Sequence, residues 1–554
     1  MKQKKSMMYV FMEGTAALYA ILMLVLFPLF YVNNYIDISS AKLTFFRVCA
    51  IGMPLLIAVF AGMGFLQQYK ESAQRKGKTQ RNKGKAGAKR QVPELTRKEA
   101  VRQWLSEVSI PSWFAIVFVI GICIATIFSE NPLESWQGLQ GRKLGLQVFL
   151  LCVLAYALLG KYLKPGKWLI WTFFAGNFIV LLLAILNFGS MDPLGMYENL
   201  VSEQYGSFIS TIGNINACSS YLCMVMPAAM AVYMVVKTKA LRITSGVFLT
   251  LGFWTCYCTN TESWLLGVGA AFLVLLWFAM RDHMHMQRFF EIWGFFCLGS
   301  LLMKIFVMIG DAAETASVLR IYFHGNRYQE KILLNGYVLA IEGILIAAGI
   351  VFLQNRKKRE KELPYGIVRK WLFSILAIVA GLGILLLVVT NLKQDAWEGS
   401  LSFLNRLKIQ DNFGSGRGYI WKITVKAWMN MPIWEKITGY GLNCYHMFIE
   451  QFSGEDLAAF FQGAQLVDAH NEFLQFLTTT GLLGTVGYFG LLIGTAVRTA
   501  RKYVQNPVMV LGVTVICGYM AQGIVNNPTA FLTPYLFLML GIIKSLENLE
   551  DVRE

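Results

Sequence analysis

The chain has 554 residues, of which 56% are hydrophobic, 14% aromatic and only 15% charged, and its mean hydropathy is +0.50. That composition excludes a single soluble core and matches a protein that crosses a membrane many times. The formal net charge of +17 reads as basic loops facing anionic lipid rather than as a nucleic-acid surface, and no nucleic-acid partner is expected.

Apolar runs of about 18 to 24 residues recur from Gly14 to Leu546, each long enough to cross a ~30 Å hydrocarbon layer. Lipid offers the backbone no hydrogen-bond partner, so all should be helices. There are roughly fourteen, centred near residues 23, 55, 119, 154, 178, 226, 251, 271, 299, 344, 380, 486, 516 and 538. The first is about 20 residues long with no small-residue cleavage pattern, and it reads as a retained span rather than a signal peptide. Basic stretches begin the chain and follow spans two, four, six, eight, ten and twelve. All lie on one face if the N-terminus is inside, which puts both termini in the cytoplasm of a cell-membrane protein. Within the basic cytoplasmic loop 70–103, the Gly/Lys/Arg/Gln tract from Lys70 to Arg90 is expected to be disordered.

The fold class is therefore all-α: a polytopic bundle of about 14 transmembrane helices with one large extracytoplasmic loop. The loop is 391–470, between spans eleven and twelve, with bundle segments 1–390 and 471–554 on either side. It is far longer than a connector needs and rich enough in Trp, Phe and Ile to form a helical subdomain. Inside it GSGRGYIWKITVKAWMNMPI opens with a glycine turn carrying Gly416 and Arg417. It continues as an amphipathic helix with Ile420, Trp421, Ile423, Thr424, Ala427 and Trp428 on one side, expected to lie along the membrane surface. Arg417 then sits at a helix N-terminus, where free N–H groups and a guanidinium can together bind phosphate. DAHNEFLQFLTTTGLLGT (Asp468 to Thr485) closes the loop. On one continuous helix His470 and Gly481 would lie on nearly the same face, ~16 Å apart along the axis. Gly481, Gly484, Gly487, Gly490 and Gly494 give that helix a small-residue ridge for close approach of a neighbour. His470 at the outer mouth could accept a proton near pH 7.

Other candidates carry less. Nine of the ten cysteines lie in predicted spans, so no disulfide framework follows. The Cys256/Cys258 pair reads as core packing. His283 and His285 lack a third ligand and read as solvated loop residues; no metal site and no cofactor are expected. Glu13, Glu291, Lys304 and above all Glu342 stand near or within apolar runs, where charged groups can mark a transport pathway. They support an alternative from another class, a polytopic transporter or lipid-linked glycan flippase, although no internal repeat is visible. A catalytically silent scaffold in a glycan-assembly complex is the third.

HNEFLQFLTTTGLLGT resembles the His-(Asn/Ser/Gln)-nine residues-Gly-x-x-Gly-Thr pattern of the O-antigen ligase and Wzy-type polymerase superfamily, and GRGYIW is similar to its Gly-Arg-x-x-(Ile/Leu)-Trp signature, in the same order and spacing. The resemblance is carried by about residues 400–495, with looser similarity in Ser129 to Gly145 and Ser210 to Leu222. It implies a metal-independent glycosyltransferase of the outer leaflet, inverting, that takes a glycan from undecaprenyl diphosphate and joins it to the hydroxyl of a glycan, lipid or protein acceptor in surface polysaccharide synthesis. In that resemblance Arg417 binds the diphosphate and His470 is the general base. Trp421 and Asn471 orient or stack on sugar, and Gly416, Gly481, Gly484 and Thr485 belong to the structural motif. Members commonly carry a second arginine in a Ser-Arg pair where this chain reads TNTESWLLG, with Glu262 in its place. Arg142, or Arg320 or Arg327, would then supply the missing charge. His324 and His446 are further outside-loop residues able to contact glycan.

Overall fold

The structure is a computed structural model that describes residues 7–81, 108–139, 141–312, 333–358, 364–393, 397, 399–461 and 465–551. The chain begins with α1 (Met7–Leu29), which carries a π-helical turn at Leu22–Leu26, and α2 (Ile38–Arg81). There follow α3 (Ile110–Ile127), the short α4 (Pro132–Gln137), α5 (Leu146–Tyr162) and α6 (Lys167–Phe188). A two-residue-per-strand antiparallel hairpin, β1 (Phe208–Ile209) and β2 (Gly213–Asn214), pairs Phe208 with Asn214. It leads into α7 (Ile215–Val235), α8 (Lys239–Cys258), α9 (Ser263–Ala279), α10 (His283–Ala312), α11 (Gly336–Lys358) and α12 (Tyr365–Leu392). The large loop holds α13 (Phe413–Asn430), α14 (Ile433–Thr438) and α15 (Tyr445–Phe461). The chain then closes with α16 (Glu472–Thr479), α17 (Gly481–Lys502), α18 (Val510–Gly523) and α19 (Leu532–Asp551).

The protein is an all-α, multi-pass membrane protein. Every expected span centre falls inside a helix. Among the described residues nine helices are long and apolar enough to cross a membrane, and three shorter apolar helices cover the centres near 154, 271 and 516. α8 and α19 are less apolar and are shielded by neighbours: α8 lies between α6 and α10, and α19 packs on α5. α7 is the centre of the bundle, with 89% of its apolar window buried, whereas the window of α12 has none. An all-round apolar helix such as α12 is satisfied by lipid alone.

The glycine ridge of α17 meets α3 at backbone distance. A Cβ on Gly487 would stand 2.3 Å from Phe118 N, and one on Gly121 would stand 2.6 Å from Gly484 N. The helix is not continuous back to His470, however. It breaks between α16 and α17 at Gly481, whose φ is +63°. A side chain there would stand 2.3 Å from Ile437 O, so the turn requires glycine both for φ and for space. The break frees the carbonyls of Thr478 and Thr479, and the glycine turn after α14 takes them: Tyr440 N donates to Thr478 O and Gly441 N to Thr479 O, each at 3.0 Å. The loop subdomain is thereby locked onto the bundle.

That subdomain has a small core of its own, in which Ile420, Ile423 and Ala427 of α13 pack with Tyr445, Phe448 and Ile449 of α15. The apolar face of α13 is therefore covered by protein and does not lie on a membrane surface as its amphipathicity suggested. The Thr424 and Tyr445 hydroxyls pair within this core at 2.6 Å. Two further expectations are corrected. α2 runs to Arg81, inside the tract expected to be disordered, because Gln, Lys, Arg and Ala are good helix formers; the rest of the tract lies outside the described residues. His285 is buried against Asp282 and His283 meets the Tyr365 hydroxyl at 2.5 Å, so this pair is packed rather than solvated. Cys256 and Cys258 are buried in the main core.

Candidate functional site

The site is assembled where four loops meet at one end of the bundle. Gly414, Ser415 and Gly416 all have positive φ (58°, 60° and 92°), and this left-handed turn aims Arg417 from the first regular turn of α13. Its Nη1 donates to Gly414 O at 3.2 Å, while its Nε is buried with no partner among the described residues. A buried donor without an acceptor costs ~1–3 kcal/mol, and an anion would satisfy it.

His470 lies just before the Asn471 cap of α16 with φ +47°, a left-handed bend that folds it back on Asp468. Asp468 is 1% exposed and holds the site together. It accepts from Arg142 Nε at 2.6 Å, from His470 N at 3.1 Å and from Asn527 Nδ2, and it lies 3.4 Å from His470 Nδ1. Burial alone would raise its pKa, but Arg142 and His470 outweigh burial and hold it below the ordinary value. The His470 pKa is also lowered: burial is the main cause, Arg417 and Arg142 add to it, and Asp468 opposes them. The lowered pKa favours the neutral ring at pH 7, and Nδ1 faces Asp468 and Asn527.

Arg142 arrives on the loop between α4 and α5. Asn131 caps α4 by accepting from Glu134 N, and Glu134 in turn accepts from Asn443 Nδ2 at 2.5 Å. Asn443 Oδ1 accepts from Leu144 N at 3.3 Å, so the 129–145 segment docks directly on the loop subdomain. The second looser match, 210–222, supplies the hairpin and the start of α7.

One cavity of about 450 Å³ is lined by Arg142, Arg417 and His470 together with Lys42, Asn216, Ser220 and Asn527. Trp421 instead stands behind it, donating from Nε1 to His470 O at 3.4 Å and tilting against Phe413. Asn471 uses both ends of its amide within the protein, accepting from Leu474 N and donating to Ile524 O at 2.8 Å. Both residues hold His470 in place and neither lines the cavity. Gly481, Gly484 and Thr485 lie deeper, Thr485 Oγ1 bonding Gly481 O at 2.7 Å. Glu262 is exposed at the start of α9 and does not line the cavity. His446 is half-buried on α15. Arg320, Arg327 and His324 lie outside the described residues. Of the charges that suggested a transport pathway, Glu13 pairs with Lys164 at 2.5 Å and Glu291 with Arg242 at 2.6 Å, while Glu342 on α11 and Lys304 on α10 are half-buried.

Sequence reasoning passed over Asp468, Asn527 and Lys42. Asp468 was legible as the acid two residues before His470, and Asn527 as a polar interruption, NNPT, in an apolar run. Lys42 gave the weakest sign, one cation at the start of a span; its Nζ donates to the carbonyls of Phe27, Pro28 and Phe30 at the end of α1.

Two guanidinium groups and an imidazole line one cavity at the ends of membrane helices, and the class is that of a multi-pass membrane protein. Residues 332–489, which include Arg417 and His470, match the family model described as O-antigen ligase, and over that region the chain is similar to the O-antigen ligase and Wzy superfamily. The match marks a membrane protein of glycan ligation or polymerisation in general, acting on a lipid-linked glycan and an acceptor. No curated protein matches the chain.

Proposed function

We propose that the protein is an inverting, metal-independent glycosyltransferase that moves or polymerises a glycan from undecaprenyl diphosphate onto an acceptor hydroxyl at the outer face of the cytoplasmic membrane. The observation that carries this reading is the convergence of Arg417, Arg142 and His470 on one cavity, with Arg417 Nε lacking an acceptor among the described residues. The diphosphate lies against both guanidinium groups. As the anomeric C–O bond breaks, its electron pair passes to the diphosphate oxygen, and the arginines stabilise the growing charge. The acceptor oxygen attacks the anomeric carbon from the opposite face and gives its proton to His470, which later releases it to water. Attack from that face inverts the anomeric centre. Asp468 and Asn527 fix the imidazole, so their part is positional. Arg142 takes the place of the arginine that Glu262 does not supply.

The test uses the purified full chain with undecaprenyl-diphosphate oligosaccharide and candidate acceptors, following release of the lipid diphosphate and formation of the new glycoside. Arg417→Ala and His470→Ala should each lower transfer by about 10²-fold or more. Variants as active as the parent protein would overturn the mechanism.

A further inference from the structure

A second opening lies on the opposite side of the α3–α17 pair from the bundle core. It is an apolar groove of about 750 Å³ lined by Ile110, Phe114, Phe473, Phe489, Ile493 and Val497. α17 carries glycine along its floor: Phe114 packs over Gly490, and a Cβ on Gly494 would meet only ordinary contacts, at 3.6 Å and beyond. Most of the lining is hydrocarbon, but one end is different in kind, for Arg498, Arg501 and Lys502 all border it. Arg498 is engaged, its Nε 2.7 Å from Glu547 Oε2, and half-buried Lys502 donates to Glu547 O at 3.4 Å, whereas Arg501 is exposed at the rim. One end of the groove is therefore cationic and the remainder is apolar, which is the complement of an anionic amphiphile.

The position of those cations sets them apart from the diphosphate subsite. α17 has 22 residues, so it is ~33 Å long, about the ~30 Å thickness of a bilayer core. His470 and Arg417 lie at the first turn's end, and the cations lie in the other leaflet. We propose that this groove holds an acyl chain of an anionic phospholipid whose phosphate rests against Arg501 and Lys502, a lipid of the leaflet facing away from the candidate site. Basic pockets between membrane helices recognise such headgroups, and the volume is that of an ordinary ligand pocket, ~300–1,000 Å³. The chain lies across the α3–α17 seam, whose glycine contacts leave it little side-chain packing on the lipid side. Bound lipid therefore touches both α3 and α17, the second of which follows directly on α16 and His470.

Native mass spectrometry of the full chain in a mild non-ionic detergent tests this, with phosphatidylglycerol and phosphatidylcholine of matched chains as probes. Phosphatidylglycerol should be retained about tenfold more strongly. Arg501→Glu with Lys502→Glu, and separately Gly494→Leu, should each remove that preference. Arg501 is exposed and Lys502 is half-buried with a bond to Glu547 O, so Arg501→Glu alone serves as the surface variant and keeps the test valid if either other change fails to fold. Equal retention of the two lipids, variants that keep the parent's preference, or inorganic phosphate displacing phosphatidylglycerol would each overturn the proposal.

Discussion

Asp468 carries opposite instructions for its two neighbours: it holds Arg142 by a 2.6 Å ion pair and steadies the imidazole that must stay neutral. His470 acts as a base only when unprotonated, and its pKa lies below the ordinary ~6.5. Transfer measured as kcat/KM should therefore be flat above about pH 6.5 and fall only as pH drops through the lowered value. The charges around the ring set the direction in which variants move that limb. Asp468→Asn removes the carboxylate that favours imidazolium, so the acid limb should shift to still lower pH, while lost orientation costs about 10²-fold in kcat. Arg142→Gln removes a cation that disfavours imidazolium, so its limb should shift upward and the KM for the lipid donor should rise. A pH–rate series on the three proteins checks both signs, and limbs that move together would show that the ring is not the titrating base. Glu262→Ala should leave the profile untouched, because that carboxylate is outside the cavity.

Glycine substitutions along α17 separate packing from local conformation. Gly487→Ala places a methyl group 2.3 Å from the backbone of α3, which cannot yield as a side chain would. It should destabilise by ~1–3 kcal/mol. Gly494→Ala meets only ordinary contacts and should stay within ~0.5 kcal/mol. Thermal unfolding in detergent checks the pair, and equal midpoints would show that the ridge does not set the α3–α17 distance. This contact was legible in the sequence because glycines at helical spacing have one main use in a membrane. The break at Gly481 was not, since a glycine within such a ridge looks like the others and its left-handed φ depends on the TGYG turn (438–441) far earlier in the chain. For the same reason His470 was placed on a helix it only precedes. Amphipathicity likewise told that α13 has a covered face without telling that α15 covers it. The pairing of Arg142 with Asp468 joins positions 326 residues apart, and no local pattern reports such a contact.

Across the whole molecule, the distribution of Lys and Arg argues that the candidate site faces outward, with every basic loop on the other side. The structure offers two positions that test this separately from activity. Glu450 is exposed on α15 in the loop subdomain. Lys237 is exposed just beyond α7, whose 21 residues carry the chain ~31 Å from the end that lines the cavity. The ten native cysteines are free and either buried or half-buried, so they should react slowly with a bulky, charged maleimide. In intact cells that reagent should label Glu450→Cys and spare Lys237→Cys, and permeabilisation should expose the second. The converse pattern would place the site in the cytoplasm. It would then be unable to take a glycan from the outer leaflet, whatever the geometry of Arg417 and His470, and the anionic-lipid groove would open toward the outer leaflet instead. Topology is thus the condition on which the chemical argument rests, because the same cavity facing inward would meet a different set of lipid-linked substrates.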